Sequence, residues 1–244
     1  MECARLNRYG LLMVTGADAR AFLHAQLTND IENLPPERAA LAGWCTAKGR
    51  LLASLLVIPA PAGFLLQLAR DLAPAVAKRL SMYVLRSKVK VADESDAWAQ
   101  YGVWDAEPGV AGVAWDGDTV TVPIAERRFL RIGKSLSQSC KGDEEAWTLQ
   151  EIRAGRPLIS AATQDQFVPQ MVNFEQLGAI SFQKGCYPGQ EIVARAQYRG
   201  QVKRRLVHVQ APPGTELKPG QEFNGGVVVD SAAGEALAVM PLPA

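Results

Sequence analysis

The sequence has few of the features that mark membrane, nucleic-acid-binding or secreted proteins. No apolar run approaches the roughly 20 residues that span a bilayer, so no membrane segment is predicted. The 26 basic residues nearly balance the 25 acidic ones and leave a net charge of +1, which argues against a surface devoted to stable nucleic-acid or lipid binding. The first residues lack a basic start, an apolar run and a small-residue cleavage site, so no signal peptide is expected.

Cysteine and histidine are scarce in this chain. There are four cysteines and two histidines in 244 residues, and no C-x-x-C pair, so the spacing supports no metal site. Four free thiols in a reducing cytoplasm are therefore expected, with Cys140 exposed in a polar loop. Nothing in the sequence requires a second copy, and a monomer is expected.

One short stretch concentrates chemically active residues. This stretch, which we call the Cys186 loop, reads Lys184-Gly185-Cys186-Tyr187-Pro188-Gly189-Gln190-Glu191. Pro188 suits a first helical turn, and the glycines permit a tight backbone, so the stretch predicts a turn leading into a short helix. A cysteine near a helix N-terminus, beside Lys184 and Arg195, lies in positive potential that favours the thiolate. The alternative is that Cys186 packs as a small apolar side chain.

Three other segments place polar residues beside clear structural signals. The pattern G-x-D-A-x-x-F-L-x-x-Q-L-T-N-D, at 16–30, predicts a helix and the loop that ends it. C-T-A-K-G-R, at 45–50, predicts a hairpin turn at Gly49. Y-x-x-R-S-x-V, at 83–89, contains Arg86. Each segment also has a structural alternative to ligand binding. The polar residues of 16–30 could cap the helix, those of 45–50 could form a solvated turn, and Arg86 could form a surface ion pair.

The order of elements predicts an α+β fold. Apolar runs indicate strand, helix, hairpin, strand, helix and strand up to residue 94. The second helix should begin at Asp71 and bury Leu72, Val76 and Leu80 on one face. Asp116-Gly117 predicts a tight turn between later strands. The predicted parts are an α+β subdomain over 1–94, a second over 95–200 that carries the Cys186 loop, and a small C-terminal β module over 201–244.

These motifs, in this order, resemble those of the YgfZ family, folate-binding relatives of the glycine-cleavage T-protein. The resemblance implies ferredoxin-like α+β subdomains around a central funnel for tetrahydrofolate or a derivative. It also implies partners among iron–sulfur enzymes or their assembly proteins. Cys186 and Lys184 would carry the chemistry, and the rest of the loop would support them. The loop positions are Gly185, Tyr187, Gly189, Gln190, Glu191 and Arg195; the candidate folate contacts are Gln26, Asn29, Asp30, Trp44, Thr46, Lys48, Arg50 and Arg86, and Tyr83 and Phe182 are further candidate wall residues.

One departure from the T-protein pattern bears on activity. The resemblance places paired aspartates of true aminomethyltransferases at the positions of Ala53 and Ser54, which carry no charge. The first hypothesis is therefore a folate-dependent accessory factor for iron–sulfur proteins, including enzymes that thiolate tRNA, in which Cys186 is nucleophilic or transiently ligating. The second is a tetrahydrofolate-dependent aminomethyl or one-carbon transferase that uses Asp30 or Glu191 for proton transfer. The third is a binding protein that senses oxidants through Cys186.

Overall fold

The computed structural model describes residues 1–200 and 202–242, and residues 201, 243 and 244 of the predicted C-terminal module lie outside this description. No helix in the described part is both long enough and apolar enough to cross a bilayer. The described helices are α1 (Ala19–Gln26), α2 (Ala73–Ser81), α3 (Glu144–Arg153) and α4 (Gln190–Tyr198). The described strands are β1 (Glu2–Arg5), β2 (Tyr9–Thr15), β3 (Ala40–Cys45), β4 (Leu51–Ala60), β5 (Gly63–Ala69), β6 (Lys90–Asp93), β7 (Ala99–Trp104), β8 (Ala114–Asp116), β9 (Thr119–Ala125), β10 (Arg128–Gly133), β11 (Arg204–Gln210), β12 (Glu222–Phe223), β13 (Gly226–Ala232) and β14 (Glu235–Pro241).

The chain divides into two compact units, each built from separate segments. The first unit comprises Met1–Phe22, Ile31–Ala40 and Leu56–Trp147. The second comprises Leu23–Asp30, Leu41–Leu55 and Thr148–Ala244. The boundaries expected near residues 94 and 200 follow the chain rather than these units, and that three-part division stays a prediction.

The first unit contains antiparallel sheet structure covered by α2. One of its sheets has the strand order β1-β7-β10-β9-β8. In addition, β2 pairs with β5 and with β6, and the second half of β4 pairs with β5. In α2, Val76 and Leu80 are buried, as is Leu72 just before it, so the predicted apolar face is confirmed. The Asp116-Gly117 turn between β8 and β9 is also confirmed, with Gly117 at φ +57°.

A disulfide in the first unit corrects the expectation of four free thiols. Cys3 of β1 is bonded to Cys140, and their Cα atoms are 5.0 Å apart. Cys3 packs against Val103 and Phe129, and Cys140 is half-buried rather than exposed. No local pattern predicts this bond, since 137 positions separate the two cysteines.

The second unit contains the predicted hairpin and the β-rich end of the chain. β3 is the sheet neighbour of β4, and Gly49 in their turn has φ +69°. The C-terminal strands form a sheet in the order β11-β14-β13-β12. Its inner side buries a small apolar cluster of Leu217, Val228 and Ala236. The hairpin and the C-terminal strands therefore agree with the apolar patterns read from the sequence.

Two helices begin later than the sequence predicts. Asp71 lies in a 3₁₀ turn over Arg70–Leu72, and the N-cap of α2 is Leu72, which makes no side-chain capping bond. Similarly, α4 begins at Gln190 with Gly189 as its N-cap, so Pro188 precedes the helix instead of lying in its first turn. In contrast, Asp143 caps the start of α3, because its Oδ1 accepts a hydrogen bond from the N–H of Ala146 at 2.8 Å.

Candidate functional site

The Cys186 loop presents the exposed free thiol of the protein. Of the two cysteines outside the disulfide, Cys186 is exposed and Cys45 is buried. Burial raises the pKa of the Cys45 thiol to about 12, so Cys45 stays protonated near neutral pH. Cys186 precedes α4 by four positions. The exposed position excludes the alternative in which Cys186 is a core side chain.

Lys184 anchors this loop to the end of α1. Its Nζ donates a hydrogen bond to the carbonyl of His24 and a second, of 2.5 Å, to the carbonyl of Leu27. These carbonyls belong to the last turn of α1 and the residue after it, where helical partners are absent. Only 8% of Lys184 is exposed, and Nζ lies 4.9 Å from the centroid of the Tyr187 ring. The lysine of the motif is thus a structural clamp.

Burial also affects the acidity of the Lys184 ammonium. Desolvation lowers the pKa of Lys184 to about 8, although the charges of Asp30 and Cys186 act in the opposite direction. Lys184 therefore lies within electrostatic range of the thiol, as the sequence analysis required. Its ammonium is nevertheless hydrogen-bonded to carbonyl groups rather than reserved for Cys186.

The residues after α1 are mostly engaged in the fold. Thr28 is fully buried; its hydroxyl donates to the carbonyl of Ala179 at 2.6 Å and accepts from the N–H of Gly43 at 2.7 Å. The Asn29 amide donates to the carbonyls of Leu41 and Gly178 at 2.7 and 2.8 Å. These bonds fasten the end of α1 to β3 and to the segment that enters the Cys186 loop. Asn29, predicted as a folate contact, has this structural role.

Gln26 differs from its neighbours because its amide oxygen has no hydrogen-bond partner among the described residues. The side chain as a whole is half-buried, whereas Oε1 itself is buried. A buried acceptor left unpaired costs about 1–3 kcal/mol. A ligand N–H group that reached this oxygen would remove that cost.

The hairpin turn packs directly on the Cys186 loop through two glycines. A Cβ placed on Gly189 would lie 2.4 Å from the carbonyl oxygen of Thr46 and 2.6 Å from Cα of Gly49. A Cβ on Gly49 would lie 2.9 Å from Cβ of Ile192 in α4. Both contacts are too short for a side chain. The C-T-A-K-G-R and K-G-C-Y-P-G-Q-E motifs therefore meet, and their glycines are what allows the contact.

The basic residues of the hairpin turn face outward. Lys48 and Arg50 are exposed, and Nη1 of Arg50 donates to the carbonyl of Asp165 at 3.2 Å. Thr46 is half-buried, and its hydroxyl accepts the N–H of Arg50 at 3.2 Å. Trp44 is only 2% exposed and is a core residue. The structure thus leaves Lys48 and part of Arg50 available to an anionic group.

The other predicted contacts are dispersed. Arg86 and Tyr83 lie in the exposed turn between α2 and β6, in the first compact unit. In the second unit, Phe182 is half-buried and makes an edge-to-face contact with Tyr198, with 5.9 Å between ring centroids. Arg86 and Tyr83 therefore remain predictions as ligand contacts, since they belong to a different unit from the Cys186 loop.

The α4 residues of the motif divide between surface and core. Glu191 and Arg195 are exposed, and Gln190 is half-buried. Glu191 occupies the first turn of α4, where a carboxylate is favourable to the helix dipole. Val193 is fully buried, and its carbonyl accepts a 2.7 Å hydrogen bond from the buried Gln170. This arrangement fixes α4 by its buried side and leaves the charged residues in solvent.

The positions that replace the T-protein aspartates are buried in β4. Ala53 is fully buried and Ser54 is 6% exposed. The Ser54 hydroxyl accepts the N–H of Ile159 at 2.9 Å. Ser54 therefore supports the backbone of the following segment and supplies no charge.

His24 is a site residue that the sequence analysis missed. Its Nδ1 lies 3.2 Å from Oδ1 of Asp30, and its Nε2 lies 3.9 Å from the position a Cβ would take at Gly185. The available signal was its place in the first motif, together with the presence of only two histidines in the chain. The site thus brings together His24, Asp30, Lys184 and Cys186.

Replacing Lys184 with methionine should weaken the fold in a pH-dependent way. The folded-state pKa of about 8 is below the ordinary 10.5, so between these values the unfolded chain binds more protons and stability rises with pH. From pH 7 to 9.5, the wild type should gain about 1–2 kcal/mol of unfolding free energy that Lys184→Met does not gain. Urea unfolding of both proteins at the two pH values measures this difference, and parallel pH dependences would contradict the role of Lys184.

Comparison with known proteins finds relatives over most of this chain. No family model matches the chain. The tRNA-modifying protein YgfZ of Serratia proteamaculans is 32% identical, over 93% of this chain and 79% of that protein. The protein of the same name from Klebsiella pneumoniae is also 32% identical, over 82% of this chain and 69% of that protein. An uncharacterized protein of Haemophilus influenzae is 34% identical, over 89% and 76% of the two chains.

The fold also has a solved counterpart. The glycine cleavage system aminomethyltransferase T of Bartonella henselae superposes with a TM-score of 0.70, covering 98% of this chain and 78% of that chain, at 14% identity. At that identity the likeness establishes the fold alone, and it confirms the predicted α+β architecture of the T-protein type. The identity of 32% over most of this chain and of its relatives places the chain in the YgfZ family.

Proposed function

We propose that the protein is a tetrahydrofolate-binding accessory factor for the maturation or repair of iron–sulfur proteins, including enzymes that thiolate tRNA. Cys186 is its working thiol. The observation that carries the proposal is the exposure of the free Cys186 thiol on a loop that Lys184 and Gly189 hold in place. Such a fixed and accessible thiol suits reaction with a partner or a bound ligand.

Each part of this proposal has its own support. The relatives named tRNA-modifying proteins support a connection with tRNA modification. The aminomethyltransferase T fold and the family resemblance support the use of tetrahydrofolate. The iron–sulfur connection follows from the family resemblance of the K-G-C-Y-P-G-Q-E loop.

The residues of the second unit fit a folate ligand. The unpaired Oε1 of Gln26 offers an acceptor for a pterin N–H group. Lys48 and Arg50 offer cations to the carboxylates of the glutamate tail, and Arg50 can bind a carboxylate with two parallel hydrogen bonds. Tetrahydrofolate would supply a one-carbon carrier to this site, and the protein residues would bind and orient it.

The transferase alternative has less support. Ser54 is already bonded to the backbone of Ile159, and neither Ala53 nor Ser54 carries the charge found in the T-protein pattern. The two carboxylates considered for proton transfer are Asp30, which is paired with His24, and Glu191, which is exposed on α4. We therefore retain the transferase reaction as an outcome to be tested rather than as the proposal.

A rescue experiment tests the proposed function. A bacterial strain lacking its own family member should regain tRNA methylthiolation when it expresses the wild-type protein. Cys186→Ala, at equal abundance, should leave methylthiolation lower by roughly tenfold or more, because removing a nucleophile removes the covalent step. Gln183→Ala, an exposed neighbour, should rescue like the wild type.

The other outcomes are equally informative. Equal rescue by Cys186→Ala would overturn the role of the thiol. Failure of the wild type to rescue would overturn the accessory function, and an aminomethyl-transfer assay would then test the alternative. Calorimetric titration of the purified protein with tetrahydrofolate tests the ligand, and absence of a binding heat together with unchanged Trp fluorescence would overturn folate binding.

A further inference from the structure

The His24 ring is oriented by a carboxylate. Its Nδ1 lies 3.2 Å from Oδ1 of Asp30, and the two side chains are 20% and 30% exposed. A carboxylate at this nitrogen favours the tautomer with the proton on Nδ1 and leaves Nε2 as the basic nitrogen.

The basic nitrogen faces the Cys186 loop. Among the described residues other than its chain neighbours, the atom nearest to the position that a Cβ would occupy on Gly185 is Nε2 of His24, at 3.9 Å. Gly185 has no left-handed φ, so its conformation does not demand glycine. The absence of a side chain there leaves space between the imidazole ring and the backbone that leads into Cys186.

Lys184 holds the end of α1 against the Cys186 loop. Its Nζ donates to the carbonyl of His24 itself and to that of Leu27. The histidine and the cysteine loop are therefore tied together at a residue next to Gly185. This tie adds to the hydrogen bonds by which Thr28 and Asn29 fasten the end of α1 to the segment that enters the Cys186 loop.

The other titratable groups around the site do not replace His24 as a base. Asp30 is committed to His24, and the Lys184 ammonium donates to carbonyls. Burial raises the pKa of both the Tyr187 hydroxyl and the Cys45 thiol, so both stay neutral near pH 7. Glu191 and Arg195 of α4 and Lys48 of the hairpin turn are exposed to solvent.

We propose that His24, oriented by Asp30, is the general base that activates Cys186. The proton leaves Sγ of Cys186 and passes to Nε2 of His24, directly or through one water, and the electron pair of the S–H bond remains on sulfur. The products are a thiolate and an imidazolium, and the Asp30 carboxylate balances the imidazolium charge. The inference deepens the proposed function and rests on Cys186 being its working thiol.

Alkylation kinetics test this assignment. Iodoacetamide, added without reductant, reacts with Cys186 because Cys45 is buried and Cys3 and Cys140 are bonded. Intact-mass spectrometry gives the rate between pH 6 and 10. At pH 7, His24→Gln should react roughly tenfold more slowly than the wild type, because glutamine keeps a hydrogen bond to Asp30 but cannot take up a proton. Above pH 9.5 the two rates should converge, since hydroxide then removes the thiol proton.

Two further variants separate base catalysis from damage to the fold. Asp30→Asn should slow the reaction at pH 7 by a smaller factor and should also converge at high pH. His208→Gln alters the second histidine of the chain, which lies on β11, and should react like the wild type at every pH. The proposal would be overturned if His24→Gln and Asp30→Asn both alkylated at the wild-type rate with the wild-type pH profile. It would also be overturned if the variants alkylated more slowly than the wild type by the same factor at every pH.

The outcomes also distinguish this inference from the proposed function. If Cys186→Ala rescues tRNA methylthiolation while His24→Gln slows alkylation, the proposed function fails and the general base stands. If Cys186→Ala does not rescue while His24→Gln alkylates at the wild-type rate and pH profile, only the assignment of His24 fails.

Discussion

Gly189→Ala is expected to lower the free energy of unfolding by about 3–5 kcal/mol, because the new Cβ meets backbone on the opposite turn. Gly189 has φ +81° and ψ +2°, a conformation that costs other residues about 1–2 kcal/mol. The added Cβ would also lie 2.4 Å from the oxygen of Thr46 and 2.7 Å from the nitrogen of Gly49. Backbone atoms cannot rotate aside as a flexible side chain can. The contact between the two motifs should therefore open.

Gly178→Ala provides the matched control for this contact. Gly178 has φ +66°, and apart from its chain neighbours no atom of the described residues lies within 4 Å of a Cβ built there. Its substitution should cost only the conformational strain, about 1–2 kcal/mol. Urea unfolding of both variants isolates the steric part of the Gly189 effect. Equal losses of stability in the two variants would show that the hairpin turn and the Cys186 loop are not in close contact.

Removal of the Cys3–Cys140 disulfide should produce a loss of similar size. The bond closes a loop across 137 positions, and in the chain-entropy description such a loop is worth about 4–5 kcal/mol. Cys3→Ser, or reduction of the wild type, should then lower Tm by roughly 10–15 °C in a domain-sized protein. Thermal melts with and without a phosphine reductant measure this. The reductant should leave the melt of Cys3→Ser unchanged, which separates the disulfide from other effects of reduction.

Thiol counting gives an independent check of the same bond. Alkylation of the denatured protein without reductant should label two cysteines, Cys45 and Cys186, and prior reduction should raise the number to the four present in the chain. Four labels without reductant would show that the disulfide does not form. In that case the melting temperatures of the wild type and Cys3→Ser should coincide.

Local sequence patterns were sufficient for several elements of this protein. The apolar residues Leu72, Val76 and Leu80 recur with helical spacing and are buried as predicted. The hairpin turn at Gly49 and the Asp116-Gly117 turn were also predicted correctly. In each case the interactions that determine the element lie within about ten residues. They follow directly from the conformational preferences of glycine and aspartate and from the spacing of the apolar residues.

Tertiary packing decided the chemical roles within the candidate site. The K-G-C-Y-P-G-Q-E motif identified the loop, but the carbonyl partners of Lys184 lie at least 157 positions away in the chain. The approach of His24 to Gly185, the use of the Ser54 hydroxyl by Ile159 and the Cys3–Cys140 bond likewise join distant segments. A hydrogen bond, a desolvated ammonium or a disulfide depends on which groups packing brings within a few ångströms. Residue type and local spacing therefore determined the fold class and pointed to the Cys186 loop, whereas only the folded chain determined which group each polar side chain meets.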